Sequence, residues 1–230
     1  VKWLLIVNTA IFLVDFFARA WFGVYLFALF TLVPAYVLHY GMLWQLVSYM
    51  FLHADVWHIL FNMLMLWMFG ADLERDWGTR LFLKYYFLCG IAAGLCVVLA
   101  SLLRPVEAMF RTLGASGAIY GLLLAYGVLY ADRIILFMLL FPMKAKYAVM
   151  IFGAIEFIGF WTPGSGVSHV AHLGGMIFGY LYLKTRLQRR PSNPATSFRT
   201  RFQDWKRQRA RRKFQVYMKK QQSGRGPWVN

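Results

Sequence analysis

Long apolar stretches, punctuated by short polar clusters, dominate the first 183 residues. Positions 85–103 run for 19 residues without a charge and positions 112–131 for 20, and about 20 mostly apolar residues suffice to cross the hydrocarbon of a bilayer. The pattern predicts six helical spans, at about 2–17, 57–71, 81–103, 114–130, 145–161 and 168–183. Between the first two lies 18–56, which is rich in Trp21, Phe22, Tyr25 and Trp44 but broken by Gly23, Pro34 and Gly41. Interrupted aromatic segments of this kind lie in the membrane interface more often than they cross. The charged cluster 72–80 closes the second span. Pro163, Gly164 and Gly166 mark a turn before the sixth, and 134–143 is too short to cross and is expected to be a connecting segment. The fold class expected is all-α, a polytopic membrane protein built as a six-helix bundle.

Composition agrees with this and adds direction. Hydrophobic residues make up 60% of the chain, against about 45–50% in soluble domains. The formal net charge of +16 is concentrated at one end: 15 of the 25 Lys and Arg residues lie from Lys184 onward, where Asp204 is the sole acid. An even number of spans puts both termini on one side. Arg75, Arg80, Arg133, Lys144 and Lys146 fall in loops on the side of the tail, so the excess of basic residues places both termini in the cytoplasm. The expected division is a transmembrane domain over residues 1–186 and a basic cytoplasmic tail over 187–230. The tail is suited to anionic lipid, and nucleic acid is not an expected partner. The chain opens directly into a span, which suits an integral, multi-pass protein of a bacterial inner membrane. Cys89 and Cys96, seven apart, would sit about 10 Å apart along a helix, too far to bridge.

In this topology the second, fourth and sixth spans run in the same direction, and their polar residues share one depth beneath the outer surface. They are His53, His58 and Asn62; Gly114-Ala115-Ser116-Gly117; and His169 with His172. Such groups are costly in hydrocarbon and face a bundle interior for functional reasons. Ser116 falls in the first turn of its span, where unpaired backbone N–H groups favour a developing oxyanion. His58 and Asn62, four apart, share a helix face and are suitable oxyanion donors. Gly175 and Gly179 give the sixth span a smooth face, and Gly117 with Gly121 gives the fourth a matching one, so that the two backbones can approach closely. That approach would bring the His172 imidazole to the Ser116 hydroxyl.

Phe51-Leu52-His53, His58-Ile-Leu-Phe-Asn62-Met63, Gly70 with Leu73-Glu74 and Gly78, Gly-Ala-Ser116-Gly and Ala171-His172-x-x-Gly175-x-x-x-Gly179 together resemble the rhomboid family over about residues 1–186. The resemblance implies an intramembrane serine endopeptidase with a six-helix rhomboid-like bundle open to water from outside. In it Ser116 attacks the peptide, His172 takes the proton, and His58, Asn62 and the Ser116 backbone hold the oxyanion. Tyr120 matches the residue that packs on the catalytic imidazole. Trp44-Gln45 stands where many members carry Trp-Arg. A Ser–His dyad is implied, with no carboxylate required: of the acids, Glu156 lies on the fifth span and matches no site residue of the family. Neither metal nor cofactor is expected, since His169 and His172 lack an evident third ligand. The substrates implied are transmembrane segments of other membrane proteins, cut near the outer interface, where helix-weakening residues let a strand unwind. The alternative is a catalytically silent rhomboid-like chaperone or adaptor; such relatives typically lack the serine or the histidine, and both are present here.

Overall fold

The computed structural model describes residues 1–137, 140–162 and 169–188. Val1–Thr185 pack as one compact unit; of the second, Arg186–Asn230, only the end of the last helix is described. The basic tail and the turn expected at Pro163, Gly164 and Gly166 lie outside the described residues. The helices are α1 (Lys2–Phe22), α2 (Pro34–Tyr40), α3 (Gln45–Ser48), α4 (Val56–Trp77), α5 (Thr79–Leu103), α6 (Ser116–Leu129), α7 (Ala145–Phe160) and α8 (His169–Gln188). Among the described residues α1, α4 and α5 are long and apolar enough to cross a membrane.

Several boundaries differ from expectation for identifiable reasons. α1 runs on to Phe22 and stops where Gly23 takes a left-handed backbone (φ 66°), its N–H donating to the Arg19 carbonyl at 3.1 Å, a termination that glycine favours. α4 does not end at the charged cluster but passes through it to Trp77. Asp72 is paired there with Arg75 from its own helix and with Arg133 at 2.5 Å, and it accepts from the Tyr126 hydroxyl at 3.0 Å. Charges satisfied in this way do not oppose the helix, and the break comes at Gly78 (φ 77°). Within the expected connecting segment, β1 (Ile134–Phe137) and β2 (Phe141–Lys144) pair antiparallel, with Ile135 opposite Met143, so the mostly helical unit carries one small two-stranded ribbon.

Helix α6 is the centre of the unit. Gly117, Ala118, Ile119, Gly121, Leu122, Leu123, Ala125 and Tyr126 are all buried, and a helix apolar on every face belongs in an interior. It packs against α4, α5 and α7. α5 contributes a fully buried row, Phe82, Tyr85, Tyr86, Cys89 and Ala93. Outward surfaces are apolar as well: Trp3, Val14, Trp21, Phe61, Trp67, Leu99, Met150 and Ile158 are exposed. An exposed apolar belt of this extent has no place in water and fits contact with lipid tails. Cys89 and Cys96 are both free thiols.

Candidate active site

The approach to Ser116 is built by the first loop. Leu32, fully buried, pairs with Thr112 through two backbone bonds of 2.9 and 2.8 Å, and the Gly114 N–H donates to the Tyr49 carbonyl at 2.9 Å. Gly114 turns the chain with φ 116°, and a Cβ there would lie 2.7 Å from the His58 Nε2. Both the backbone region and the space exclude a side chain. α6 then opens on Ser116, and no side chain caps its start. The N–H groups of its first turn therefore remain available at the point where the Ser116 hydroxyl emerges.

The glycine faces of α6 and α8 meet. A Cβ on Gly175 would run into the carbonyl oxygen of Gly117, and one on Gly179 would come 3.3 Å from the Cα of Gly121. One on Gly121 would lie 2.5 Å from the Cys89 sulfur, and one on Gly117 2.6 Å from the Ala93 Cβ, so the strip is closed from the α5 side as well. This close packing holds His172 Nε2 2.7 Å from Ser116 Oγ. The ring of Tyr120, one turn along α6, stacks on the imidazole with centroids 4.3 Å apart and planes 9° from parallel.

His58 and Asn62 rise on one face of α4. Asp55 caps that helix, its carboxylate accepting the His58 backbone N–H at 2.9 Å, and so sets where His58 begins. The His58 Nδ1 accepts from the Ala54 N–H at 3.4 Å, which leaves the ring proton on Nε2, the nitrogen that faces Gly114. Asn62 is buried, and its amide donates to the His58 carbonyl at 2.8 Å. One of its two N–H bonds is thus spent within the helix. His53 sits edge-on to His58 with ring centroids 5.1 Å apart.

The largest departure from the sequence-based picture is Glu156. Expected to be a bystander on the fifth span, it is instead 4% exposed on α7 and surrounded by donors. The Tyr120 hydroxyl donates to its Oε1, and its Oε2 lies 2.6 Å from His169 Nδ1 and 2.9 Å from His172 Nδ1. The His172 approach is within ion-pair distance but off the ring N–H axis, since this nitrogen has no aligned hydrogen bond. Glu156 also corrects the statement that the two histidines lack a third ligand-capable neighbour: candidate ligand atoms of Glu156, His169 and His172 all lie within 4.8 Å of one another. The Oε2 contacts are nonetheless of hydrogen-bond length, shorter than the separation of roughly 3.3 Å between neighbouring ligands that bonds of about 2.0–2.1 Å to a tetrahedral zinc require.

The family model of the rhomboid domain matches residues 40–189. The chain belongs to the rhomboid family. Similar proteins include rhomboid protein 1, mitochondrial, of Saccharomyces cerevisiae, 32% identical over 60% of this chain and 40% of the relative. Rhomboid protease GluP of Bacillus subtilis is 34% identical over 61% of this chain and 25% of that protein. The putative rhomboid protease YdcA of the same organism is 32% identical over 61% and 66%. The chain thus spans a quarter to two thirds of the length of these relatives. Where this rhomboid departs from the Trp-Arg pair of many members, Gln45 is fully buried and ties the first loop together: its Oε1 accepts the Val33 N–H and its Nε2 donates to the Leu29 carbonyl, both at 3.0 Å. Trp44 is exposed beside it and donates to the same carbonyl at 3.3 Å.

Proposed function

We propose that this rhomboid is an intramembrane serine endopeptidase in which Ser116 is the nucleophile and His172 its general base. The observation that carries the reading is the 2.7 Å contact between the Ser116 hydroxyl and His172 Nε2, within the range that proton transfer requires. The serine proton passes to Nε2 as the Oγ–carbon bond forms. The oxyanion that develops is received by the Ser116 backbone N–H with His58 Nε2–H and the remaining Asn62 N–H. The imidazolium returns its proton to the departing amide nitrogen, and water then hydrolyses the acyl-enzyme by the same relay. Tyr120 keeps the ring in plane by stacking.

The bilayer reading takes α1, α4, α5, α6, α7 and α8 as six spans, with both termini on one side and residues 187–230 as a basic segment toward anionic lipid. α6 supports a site sunk below the surface. Its 14 residues make a rod of about 21 Å, against roughly 30 Å of hydrocarbon. Its far end is marked by the ionic group of Asp72, Asp76, Arg133 and Tyr130. With that end in water, Ser116 lies on the order of 10 Å beneath the opposite face. The substrates are transmembrane helices whose strand unwinds at that depth. The relatives named include a mitochondrial and two bacterial proteins, so the proposal names a bilayer and not a particular membrane. The test is cleavage of a single-span reporter by the detergent-purified protein beside Ser116→Ala. Cleavage by the wild type alone is expected; equal cleavage by the Ser116→Ala protein would overturn the assignment.

A further inference from the structure

A carboxylate in the interior of a membrane bundle is costly by several kcal/mol unless it is fully paired. Glu156 is paired, by groups from two other elements. The Tyr120 hydroxyl reaches it from α6, and two imidazole nitrogens, of His169 and His172, reach it from α8. An ionised carboxylate only accepts hydrogen bonds, so the nitrogens that face it carry the hydrogens. For His172, whose Nδ1 lies 2.9 Å from Oε2 without an aligned hydrogen bond, the contact favours one tautomer: hydrogen on Nδ1 toward Glu156, lone pair on Nε2 toward the Ser116 hydroxyl. That is the form a general base needs.

We propose that Glu156 is a positioning residue of the hydrolytic site: from the Nδ1 side it holds His172 in its basic tautomer and balances the imidazolium formed when Ser116 attacks. The inference rests on the reading of Ser116 and His172 given above and adds a third member to the pair. In the step itself the Oγ–H proton moves to His172 Nε2 while the Oγ–C bond forms and the carbonyl electrons move to oxygen. His172, now cationic, keeps its Nδ1 hydrogen directed at Glu156, which takes no proton. The Nε2 hydrogen then goes to the leaving nitrogen as the C–N bond breaks. In the resting site the Nδ1 contact is short but misaligned, and catalytic hydrogen bonds commonly tighten only as charge develops. The groups that face His172 are Ser116 and Tyr120 on α6, Glu156 on α7, His169 on its own helix and, at longer range, His58 on α4. Among the described residues no other carboxylate touches it. The arrangement also divides labour on α6: the Tyr120 ring orients the imidazole by stacking, and its hydroxyl orients the carboxylate that meets the same imidazole.

The experiment compares wild type, Ser116→Ala and Glu156→Gln, purified in detergent, on a single-span fluorogenic reporter. Folding is checked by thermal unfolding. The amide of Glu156→Gln is nearly isosteric, but its NH2 donates to Nδ1 and so favours the opposite tautomer. The expected result is a fall in kcat of about tenfold or more with KM little changed. In parallel, protein labelled with 15N-histidine gives ring shifts, and the His172 signal is identified by its loss in His172→Ala. The hydrogen is expected on Nδ1 in the wild type and on Nε2 in Glu156→Gln. A folded Glu156→Gln protein with wild-type kcat overturns the proposal. So does a wild-type His172 protonated on Nε2 alone, a measurement that stands even where the variant does not fold. Cleavage that survives Ser116→Ala overturns the underlying protease reading instead, so the two failures are separable.

Discussion

Replacing Gly175 by alanine is the sharpest available perturbation of the α6–α8 contact. In an unconstrained helix the change is favourable, because alanine has the higher helix propensity by up to about 1 kcal/mol. Here the added methyl is aimed at the carbonyl oxygen of Gly117, a backbone atom with no rotamer to escape into. Restoring an ordinary carbon–oxygen contact requires the two helices to part by roughly 1 Å or more at that point. His172 lies one turn away on the moving helix and Ser116 is the residue next to Gly117. The 2.7 Å contact between them opens beyond the range of about 2.6–3.2 Å in which a base takes a proton. A displacement of 1 Å in a catalytic pair costs on the order of 100-fold in rate, and overpacking costs about 1–3 kcal/mol of stability. The assay is kcat on a single-span reporter in detergent, with thermal unfolding alongside. Gly153→Ala on α7 is the control, since a Cβ there would meet only the Met176 Cε at 3.5 Å, an ordinary contact. The expected outcome is a large loss of kcat for Gly175→Ala and little change for Gly153→Ala. Equal activity in the two variants would refute the idea that backbone contact between the helices sets the reacting geometry.

Three further outcomes follow from the same geometry. His172→Ala should abolish cleavage while His169→Ala retains it, because His169 touches Glu156 but not Ser116; the reverse result would reassign the base. Asp55→Ala removes the cap of α4 and should lower stability by about 1 kcal/mol with a fall in kcat, since the capped N–H is that of His58 itself; unchanged kcat would show that the cap does not position the ring. Asp132 is held below the usual carboxylate range by hydrogen bonds from Lys146 and Lys144. Whatever these pairs contribute is therefore present above the ordinary carboxylate pKa and lost as pH falls through the depressed one. The carboxyl is fully exposed, so Asp132→Asn should leave the unfolding midpoint at neutral pH nearly unchanged.

Much of the site could be read from local pattern. The glycine spacing on α6 and α8 carried the close approach because small residues four apart report a helix face directly, and the structure brings Ser116, His172 and Tyr120 together there. Asp55 is legible in the sequence as a cap, since an acid just before an apolar helix is a standard start signal. Glu156 was beyond reach. Its partnership depends on how α7 is rotated against α6 and α8, and no spacing within α7 encodes that angle. The extension of α4 through its charged turn was likewise hidden, because Arg133 and Tyr126, which satisfy Asp72, are more than fifty residues away. The pairing of β1 with β2 is not legible because a ten-residue apolar run has no period that separates a strand pair from a connector.

The backbone pairing of Leu32 with Thr112 has an implication for how much of the chain the proposed protease would need. Residue 32 precedes the stretch that matches the family, which starts at residue 40, yet it splints the segment that leads into Ser116. A molecule trimmed to the matched stretch would keep both reacting helices and lose that splint. Its serine would reach attack geometry only by thermal sampling, and turnover would become intermittent although every chemically reactive group was still in place.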